Sequence, residues 1–199
     1  MGEKRMKIAS GKESEKETVI QGKLGNTIKL TINGTKHEFT FGDDVEPWES
    51  HAYDVYPWDM LVSTLREKLG LTGTKLSCDR GACGTCTVLI NGKLALSCMV
   101  LTADCDGKEI TTIEGLSDPV SGKLHPIQEA FIENNGTQCG FCAPGMIMAS
   151  KVLLDNNHNP SKEDVKWALA GNICRCGNYN LITKSVLSAA EKMRKRGAE

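Results

Sequence analysis

The fold is decided by the stretch Cys78-Asp-Arg-Gly-Ala-Cys83-Gly-Thr-Cys86, which Cys98 follows at a distance. The spacing C-x4-C-x2-C with a remote fourth cysteine is typical of proteins that hold a [2Fe–2S] cluster, with two thiolates on each iron. Small residues inside the stretch let the backbone turn tightly and aim its N–H groups at the sulfurs. Such hydrogen bonds stabilise the negative charge that grows when the cluster is reduced.

A zinc site and a disulfide framework are the alternatives for these four cysteines. Zinc sites usually combine two-ligand knuckles of short spacing, and three cysteines within one short loop fit that habit poorly. Disulfide frameworks stabilise small secreted domains that lack a core. This chain has 40% hydrophobic residues and no apolar export signal behind its first charges. The stretch therefore favours iron and sulfide, with zinc as the main competitor.

The chain holds nine cysteines, which fall into two sets of four with one left over. The first quartet is Cys78, Cys83, Cys86 and Cys98, and the second quartet is Cys139, Cys142, Cys174 and Cys176. Two sets of four in a chain without an export signal indicate two metal sites. The short spacing Cys174-Arg-Cys176 weakens the zinc alternative in the second quartet without removing it. Cys105 is expected to be a free thiol in a loop or at a strand end.

Charge and hydropathy exclude several classes of protein. The 199 residues include 24 Lys and Arg against 25 Asp and Glu, a net charge of −1. This balance makes no electrostatic case for binding nucleic acid or an anionic membrane surface. No stretch reaches the length of a membrane span. We expect a soluble, cytoplasmic protein without membrane insertion.

The first half of the chain predicts a small mixed sheet with one helix. Residues 1–25 are polar and are expected to form a flexible extension. Alternating apolar residues around Asn33-Gly34 predict a β-hairpin, and Asn91-Gly92 marks a second one that returns Cys98 to the first quartet. The remaining predictions are a helix that begins at Pro57 and ends at Gly70 and a last strand over 109–113. This order predicts a β-grasp domain over 26–116, similar to a plant-type ferredoxin.

Helical periodicity dominates the second half. Pro126 and Pro144 each begin a predicted helix, Ser161 caps a third with Asp164 in the capping-box position, and a fourth carries the apolar positions within 182–193. The second quartet lies at the junctions between these helices, where free N–H groups can face the charge of a cluster. We predict an α+β protein in which a four-helix domain over 117–199 follows the β-grasp domain, with a linker over 117–122.

Three motifs in this chain point to one family. They are C-D-x-G-x-C-G-x-C from Cys78, Q-C-G-F-C-x-P-G from Gln138, and N-I-C-R-C from Asn172. In combination they resemble the small iron–sulfur subunit of the xanthine oxidase family of molybdenum hydroxylases, over about residues 26–195. The family includes similar small subunits of 4-hydroxybenzoyl-CoA reductase, carbon monoxide dehydrogenase and bacterial aromatic-heterocycle dehydrogenases.

The resemblance implies roles for both quartets and for partner subunits. The first quartet would hold the cluster farther from molybdenum and the second quartet the nearer one. Gln138 and Cys139 would approach the molybdopterin of a separate large subunit, and an amide suits that contact because it offers both donor and acceptor. A hydrogen bond within its own domain is the alternative for Gln138. FAD is expected on a medium subunit, with the heterotrimers joined in a higher assembly.

Two departures from the family pattern stand out. Family members usually continue after the last cysteine with Thr-Gly-Tyr, where this chain has Gly177-Asn178-Tyr179. If the turn needs positive φ at its second residue, Asn is the most tolerant choice after Gly, and the small residue has moved one place earlier. The stretch 46–57 is longer than the family's link between hairpin and helix, which puts the choice of partner at that surface in doubt.

The expected function is electron transfer within a molybdenum hydroxylase-type oxidoreductase. Two clusters would pass single electrons between molybdenum and a flavin or other acceptor. No residue of this chain is a candidate catalytic base or nucleophile, because the four histidines are isolated from one another. Two alternatives remain, a stand-alone two-cluster carrier or sensor and a non-redox zinc scaffold.

Overall fold

The computed structural model describes residues 27–40 and 54–196. The predicted flexible extension over 1–25 and most of the long stretch 46–57 lie outside the described residues. Within the described part, five strands form one mixed sheet, and helices follow it along the chain. The arrangement agrees with a ferredoxin-like domain and a helical domain.

The first hairpin has the predicted geometry. Strands β1 (Thr27–Ile32) and β2 (Thr35–Thr40) pair antiparallel. Asn33 and Gly34 turn the chain with φ of 50° and 79°, the positive values that a type I′ turn requires. The side chains of β1 that are buried in the core are Ile28, Leu30 and Ile32.

The second hairpin and a short strand complete the sheet. Strands β3 (Thr87–Ile90) and β4 (Lys93–Leu96) pair antiparallel around Asn91-Gly92, as predicted. Strand β5 (Glu109–Thr111) lies between the hairpins, parallel to β1 and antiparallel to β3, in the order β2-β1-β5-β3-β4. The prediction that this strand reaches residue 113 is wrong, because the chain tightens into a 3-10 turn over Ile113–Leu116.

The helix expected over 57–70 is shorter than predicted and begins later. Helix α1 covers Leu61–Ser63 and continues as a π-helical segment over Thr64–Lys68. Pro57 instead lies in a turn, where the Asp59 carboxylate accepts the Tyr56 N–H at 3.0 Å. The Leu61 N–H donates to the carbonyl of Val100 at 2.8 Å. The helix cannot begin at Pro57, because the first of these hydrogen bonds holds Tyr56 in a turn and the second commits the Leu61 N–H to Val100.

Four helices follow the sheet, close to the predicted positions. They are α2 (Pro126–Glu133), α3 (Ala143–Asn156), α4 (Lys162–Ala168) and α5 (Tyr179–Arg196). The predicted capping box is confirmed: the Ser161 hydroxyl accepts the Asp164 N–H at 3.1 Å, and the Asp164 carboxylate accepts the Ser161 N–H at 2.8 Å. Helix α3 begins one residue before the predicted Pro144.

Two large hydrophobic cores, and a small one around Val62, Cys86 and Cys98, hold the described part together. One lies under the sheet and includes Leu30, Leu65 and Ile110. The other lies among the helices, around Phe131 and Met146, and also takes in Leu89 of β3 and Leu116. The helices therefore pack directly onto the sheet, and this contact places the two quartets on neighbouring surfaces.

Candidate metal centres

The first quartet is assembled by the hairpin of β3 and β4. Cys86 directly precedes β3, and Ser97 directly follows β4. The N–H and the hydroxyl of Ser97 both donate to the carbonyl of Cys86, at 3.2 and 2.7 Å. Because Cys98 follows Ser97, these two bonds bring the fourth thiol beside the third.

Thiols of the first quartet lie near one another. Cys83 is a neighbour of Cys78, and Cys98 is a neighbour of Cys86. A [2Fe–2S] cluster uses two thiolates on each of its irons, so this donor set fits a dinuclear cluster. A single zinc ion would instead need four thiolates that converge on one point.

Backbone N–H groups stabilise negative charge at the outer pair. Hydrogen bonds from the N–H groups of Arg80 and Ala82, the second at 3.3 Å, lower the pKa of Cys78 to about 7. Asp79 and Gly81 have φ of 50° and 72°, and this left-handed backbone turns successive N–H groups inward. Burial has the opposite effect at the inner pair, where it raises the pKa of Cys86 to about 11.

The second quartet joins two loops that are distant in sequence. Cys139 and Cys142 precede helix α3, with Cys142 at its N-cap, while Cys174 and Cys176 lie between α4 and α5. Thiols of the two loops lie near one another, Cys176 beside Cys139 and Cys174 beside Cys142. The two loops together would supply the four thiolates that a cluster needs.

In the second quartet, as in the first, one thiol at the surface has a lowered pKa and one more deeply buried thiol has a raised pKa. The N–H of Phe141, followed by the thiol of Cys176, lowers the pKa of Cys139. Burial raises the pKa of Cys142 to about 12. A buried thiol of this kind is deprotonated by the metal that it ligates, since coordination favours the thiolate. The donor chemistry of both quartets thus suits iron held by thiolates.

Gln138 lies exposed beside the second quartet. Its side-chain amide donates to the Oδ1 atom of Asn178 at 3.4 Å, and the Asn178 amide donates to the carbonyl of Asn135 at 3.0 Å. The positive φ of the turn falls on Gly177, at 73°. Asn178, the next residue, does not need a positive φ and instead bridges two loops. Contact between Gln138 and a pterin stays a prediction.

Cys105 is the cysteine that belongs to neither quartet. Cys105 ends a 3-10 turn with its thiol buried, its Sγ donates to the carbonyl of Leu101 at 3.6 Å, and burial raises its pKa. Among the residues that the structure describes, no three His, Cys, Asp or Glu side chains form a group that could hold a single metal ion. In the same part of the chain, none of the helices has both the length and the apolar character of a bilayer span.

Sequence reasoning missed two residues that shape the quartets. The hydroxyl of Tyr179 accepts the N–H of Cys174 at 2.8 Å. The side chain of Asn172 reaches the loop of the first quartet and donates to the carbonyl of Gly84 at 2.8 Å. Asn172 begins the third cysteine motif, but a motif alone does not show which distant carbonyl its side chain meets.

Two family models match the chain. A "2Fe-2S iron-sulfur cluster binding domain" matches residues 47–130, and a "[2Fe-2S] binding domain" matches residues 112–187. Each match includes one whole quartet. The two domains together indicate two [2Fe–2S] clusters.

Relatives and solved structures agree with these matches. The chain is 45% identical over 158 residues to a probable xanthine dehydrogenase subunit of Bacillus subtilis, covering 79% of this chain and 82% of the relative. It is 37% identical over 166 residues to the nicotinate dehydrogenase small FeS subunit of Eubacterium barkeri, covering 83% and 96%. The structure of quinoline 2-oxidoreductase from Pseudomonas putida 86 matches with a TM-score of 0.74 and 37% identity, covering 85% of this chain and 96% of that one.

Proposed function

The chain belongs to the family of small iron–sulfur subunits of molybdenum hydroxylases, and on that premise we propose that its two quartets form the electron path of such an enzyme. It is an electron-transfer component of a multi-subunit oxidoreductase. The observation that carries the proposal is that each of the two matched [2Fe–2S] domains contains one complete set of four free cysteines. Each bound cluster supplies a site that takes up and releases one electron at a time.

Cys78, Cys83, Cys86 and Cys98 are proposed as the ligands of the first cluster, and Cys139, Cys142, Cys174 and Cys176 as those of the second. The protein holds each cluster with one more exposed and one more buried pair of thiolates. Backbone N–H groups at Cys78 and Cys139 offset the negative charge that reduction adds. These N–H bonds and the burial of the inner sulfurs are the means by which this chain sets the reduction potentials.

The second cluster is proposed to lie nearer to molybdenum. Cys139 and Cys176 are exposed, and so is the neighbouring Gln138. An exposed amide beside an exposed thiolate pair offers a donor and an acceptor to a cofactor on another subunit. This surface is therefore proposed to face the molybdopterin of the large subunit.

A molybdopterin-binding large subunit is the partner implied by the family. We extend the proposal to a flavin-binding medium subunit that accepts electrons from the first cluster, and to heterotrimers joined in a higher assembly. We also propose a β-grasp domain over 26–116 and a four-helix domain over 117–199. The core under the sheet lies within the first domain, and the core among the helices lies within the second except for Leu89 and Leu116, which pack against it from the first. A cytoplasmic location fits thiolates that must stay reduced to ligate iron.

Metal analysis of the anaerobically purified complex tests the proposal. We expect four irons and four sulfides for each copy of this chain, because each cluster holds two of each. Electron paramagnetic resonance (EPR) of the reduced complex should show two distinct [2Fe–2S] signals. Zinc without iron would overturn the proposal. Purification from the native host as a monomer, without a large molybdenum subunit, would instead favour a stand-alone carrier.

A further inference from the structure

The loops of the two quartets are bonded directly to each other. The buried side chain of Asn172 donates to the carbonyl of Gly84 at 2.8 Å, and the N–H of Ile173 donates to the carbonyl of Cys83 at 2.9 Å. Two consecutive residues before Cys174 thus bond to two consecutive carbonyls of the first-quartet loop. Such a double contact restrains both the spacing and the orientation of the loops.

Glycines allow these backbones to approach closely. We call the set Gly84, Gly145, Gly171 and Asn172 the glycine junction. A Cβ atom on Gly84 would lie 2.4 Å from the carbonyl oxygen of Gly171 and 2.6 Å from Nδ2 of Asn172. A Cβ atom on Gly145, in helix α3, would lie 2.3 Å from the carbonyl oxygen of Gly84. Three segments that carry cysteines therefore meet so closely that no side chain would fit at Gly84 or Gly145.

The side-chain amide of Asn172 donates the hydrogen bond that joins two loops at this junction. The side chain is 7% exposed, and an amide buried among backbone atoms needs a hydrogen-bond acceptor. The carbonyl of Gly84 is that acceptor. The Gly84 carbonyl also accepts the hydroxyl and the N–H of Thr87, at 2.6 and 3.3 Å, within its own loop. A residue of similar size without the amide N–H would leave those bonds in place and remove the one that joins the two loops.

We propose that Asn172 is a positioning residue that fixes the separation of the two clusters. The inference rests on the proposed function, because it concerns electron transfer between the clusters. In that transfer one cluster is oxidised as the other is reduced. Electron tunnelling weakens steeply with distance, so a contact that fixes the separation of the two cysteine loops would keep the rate of transfer between the clusters constant. The residue touches neither the substrate nor the cluster and acts through the two loops.

Asn172→Asp keeps the shape of the side chain but replaces the donor by a carboxylate oxygen that the Gly84 carbonyl repels, so it breaks this hydrogen bond without changing the side-chain volume. Asn156→Ala is the matched control: Asn156 also donates its amide to a backbone carbonyl, that of Val152 at 2.7 Å, but within helix α3. Both variants are prepared in the whole complex, and iron and sulfide are measured first. The readouts are the magnetic dipolar coupling between the two reduced clusters in EPR and hydrogen exchange of the peptide over 171–176.

We expect Asn172→Asp to keep both clusters, to weaken or broaden the dipolar coupling, and to speed exchange at Ile173 about tenfold or more, because the bond from its N–H to the Cys83 carbonyl opens more often once the neighbouring bond is lost. Asn156→Ala should change neither. Unchanged coupling and exchange in Asn172→Asp, with both clusters present, would overturn the inference. A parent complex without iron overturns the proposed function instead, and exchange still tests the junction.

If Asn172→Asp does not fold, exchange in the unaltered complex decides. The amide of Ile173 should then be among the slowly exchanging ones. Exchange as rapid as that of the exposed turn around Val120 would overturn the inference.

Discussion

Replacing Gly145 by alanine should loosen the contact between helix α3 and the first-quartet loop. Gly145 is buried in the first turn of α3, next to Pro144. The new Cβ atom would lie 2.3 Å from the carbonyl oxygen of Gly84 and 3.2 Å from that of Thr85. Both neighbours are backbone atoms and cannot rotate away. The start of the helix must therefore move about 1 Å before the contact with Gly84 becomes ordinary.

Two opposing terms set the size of the effect. Alanine is favoured over glycine inside a helix by about 1 kcal/mol, and this gain is an upper value for the first turn. Overpacking of a close contact costs roughly 1–3 kcal/mol. The net result is a destabilisation of about 1 kcal/mol, which for a chain of this size lowers the melting temperature by about 2–4 °C.

Gly171→Ala is the matched control. Gly171 belongs to the same junction, yet a Cβ atom there would meet nothing within 4 Å. We expect this variant to keep the melting temperature of the parent or to raise it slightly. Unfolding of a protein with tightly bound clusters is not strictly two-state, so the variants are compared at one scan rate with equal iron content. A melting temperature that rises in Gly145→Ala would refute the close packing of the glycine junction.

Three further outcomes are expected. Cys98→Ser should halve the iron and sulfide of the chain and block delivery of electrons to the acceptor while substrate still reduces molybdenum; unchanged steady-state turnover would contradict the electron path. Tyr179→Phe should cost about 1 kcal/mol in thermal unfolding, because the N–H of Cys174 loses its acceptor, and an unaltered midpoint would argue against that bond. In protein refolded without iron, iodoacetamide at a pH of about 7.5 should modify Cys78, with its pKa of about 7, before Cys86, with its pKa of about 11. Alkylation of Cys78 should slow as the pH falls below its pKa of about 7, since the thiolate is lost; equal labelling by mass spectrometry would contradict the difference in pKa.

Local signals explain which elements were predictable from the sequence. The turn at Asn33-Gly34 and the capping box at Ser161 depend on neighbouring residues only, and both were predicted correctly. The helix expected at Pro57 failed because the Leu61 N–H is committed to Val100, a contact between residues far apart in sequence. Proline at a first helical position is a local preference, and tertiary contacts override it.

The cysteine spacing predicted the two quartets but not their internal arrangement. Three thiols on one loop and one on a hairpin follow from the sequence, since the turn at Asn91-Gly92 returns the chain. Cys139 lies near Cys176 because of the way helices α3 and α5 lie together. The spacing of cysteines in the sequence does not contain that information. For the same reason Asn172 carried no visible signal, because its acceptor on Gly84 is 88 residues away.

The covalent link between the two halves cannot set the spacing of the quartets. After Leu116 the chain runs through an exposed turn in which the carboxylate of Asp118 accepts the N–H groups of Val120 and Ser121 at 2.8 and 2.7 Å, and Val120 is 95% exposed. A surface turn of this kind restrains its own residues but does not fix the sheet and the helices on either side of it relative to each other. The relative position of the quartets must then come from non-covalent contacts. Packing of the helices on Leu89 supplies the broad contact, and the glycine junction supplies the directional bonds at the cysteine loops. A wider gap between the clusters therefore requires loss of the junction rather than a longer linker, so insertions at Val120 should leave the melting temperature unchanged whereas Gly145→Ala lowers it.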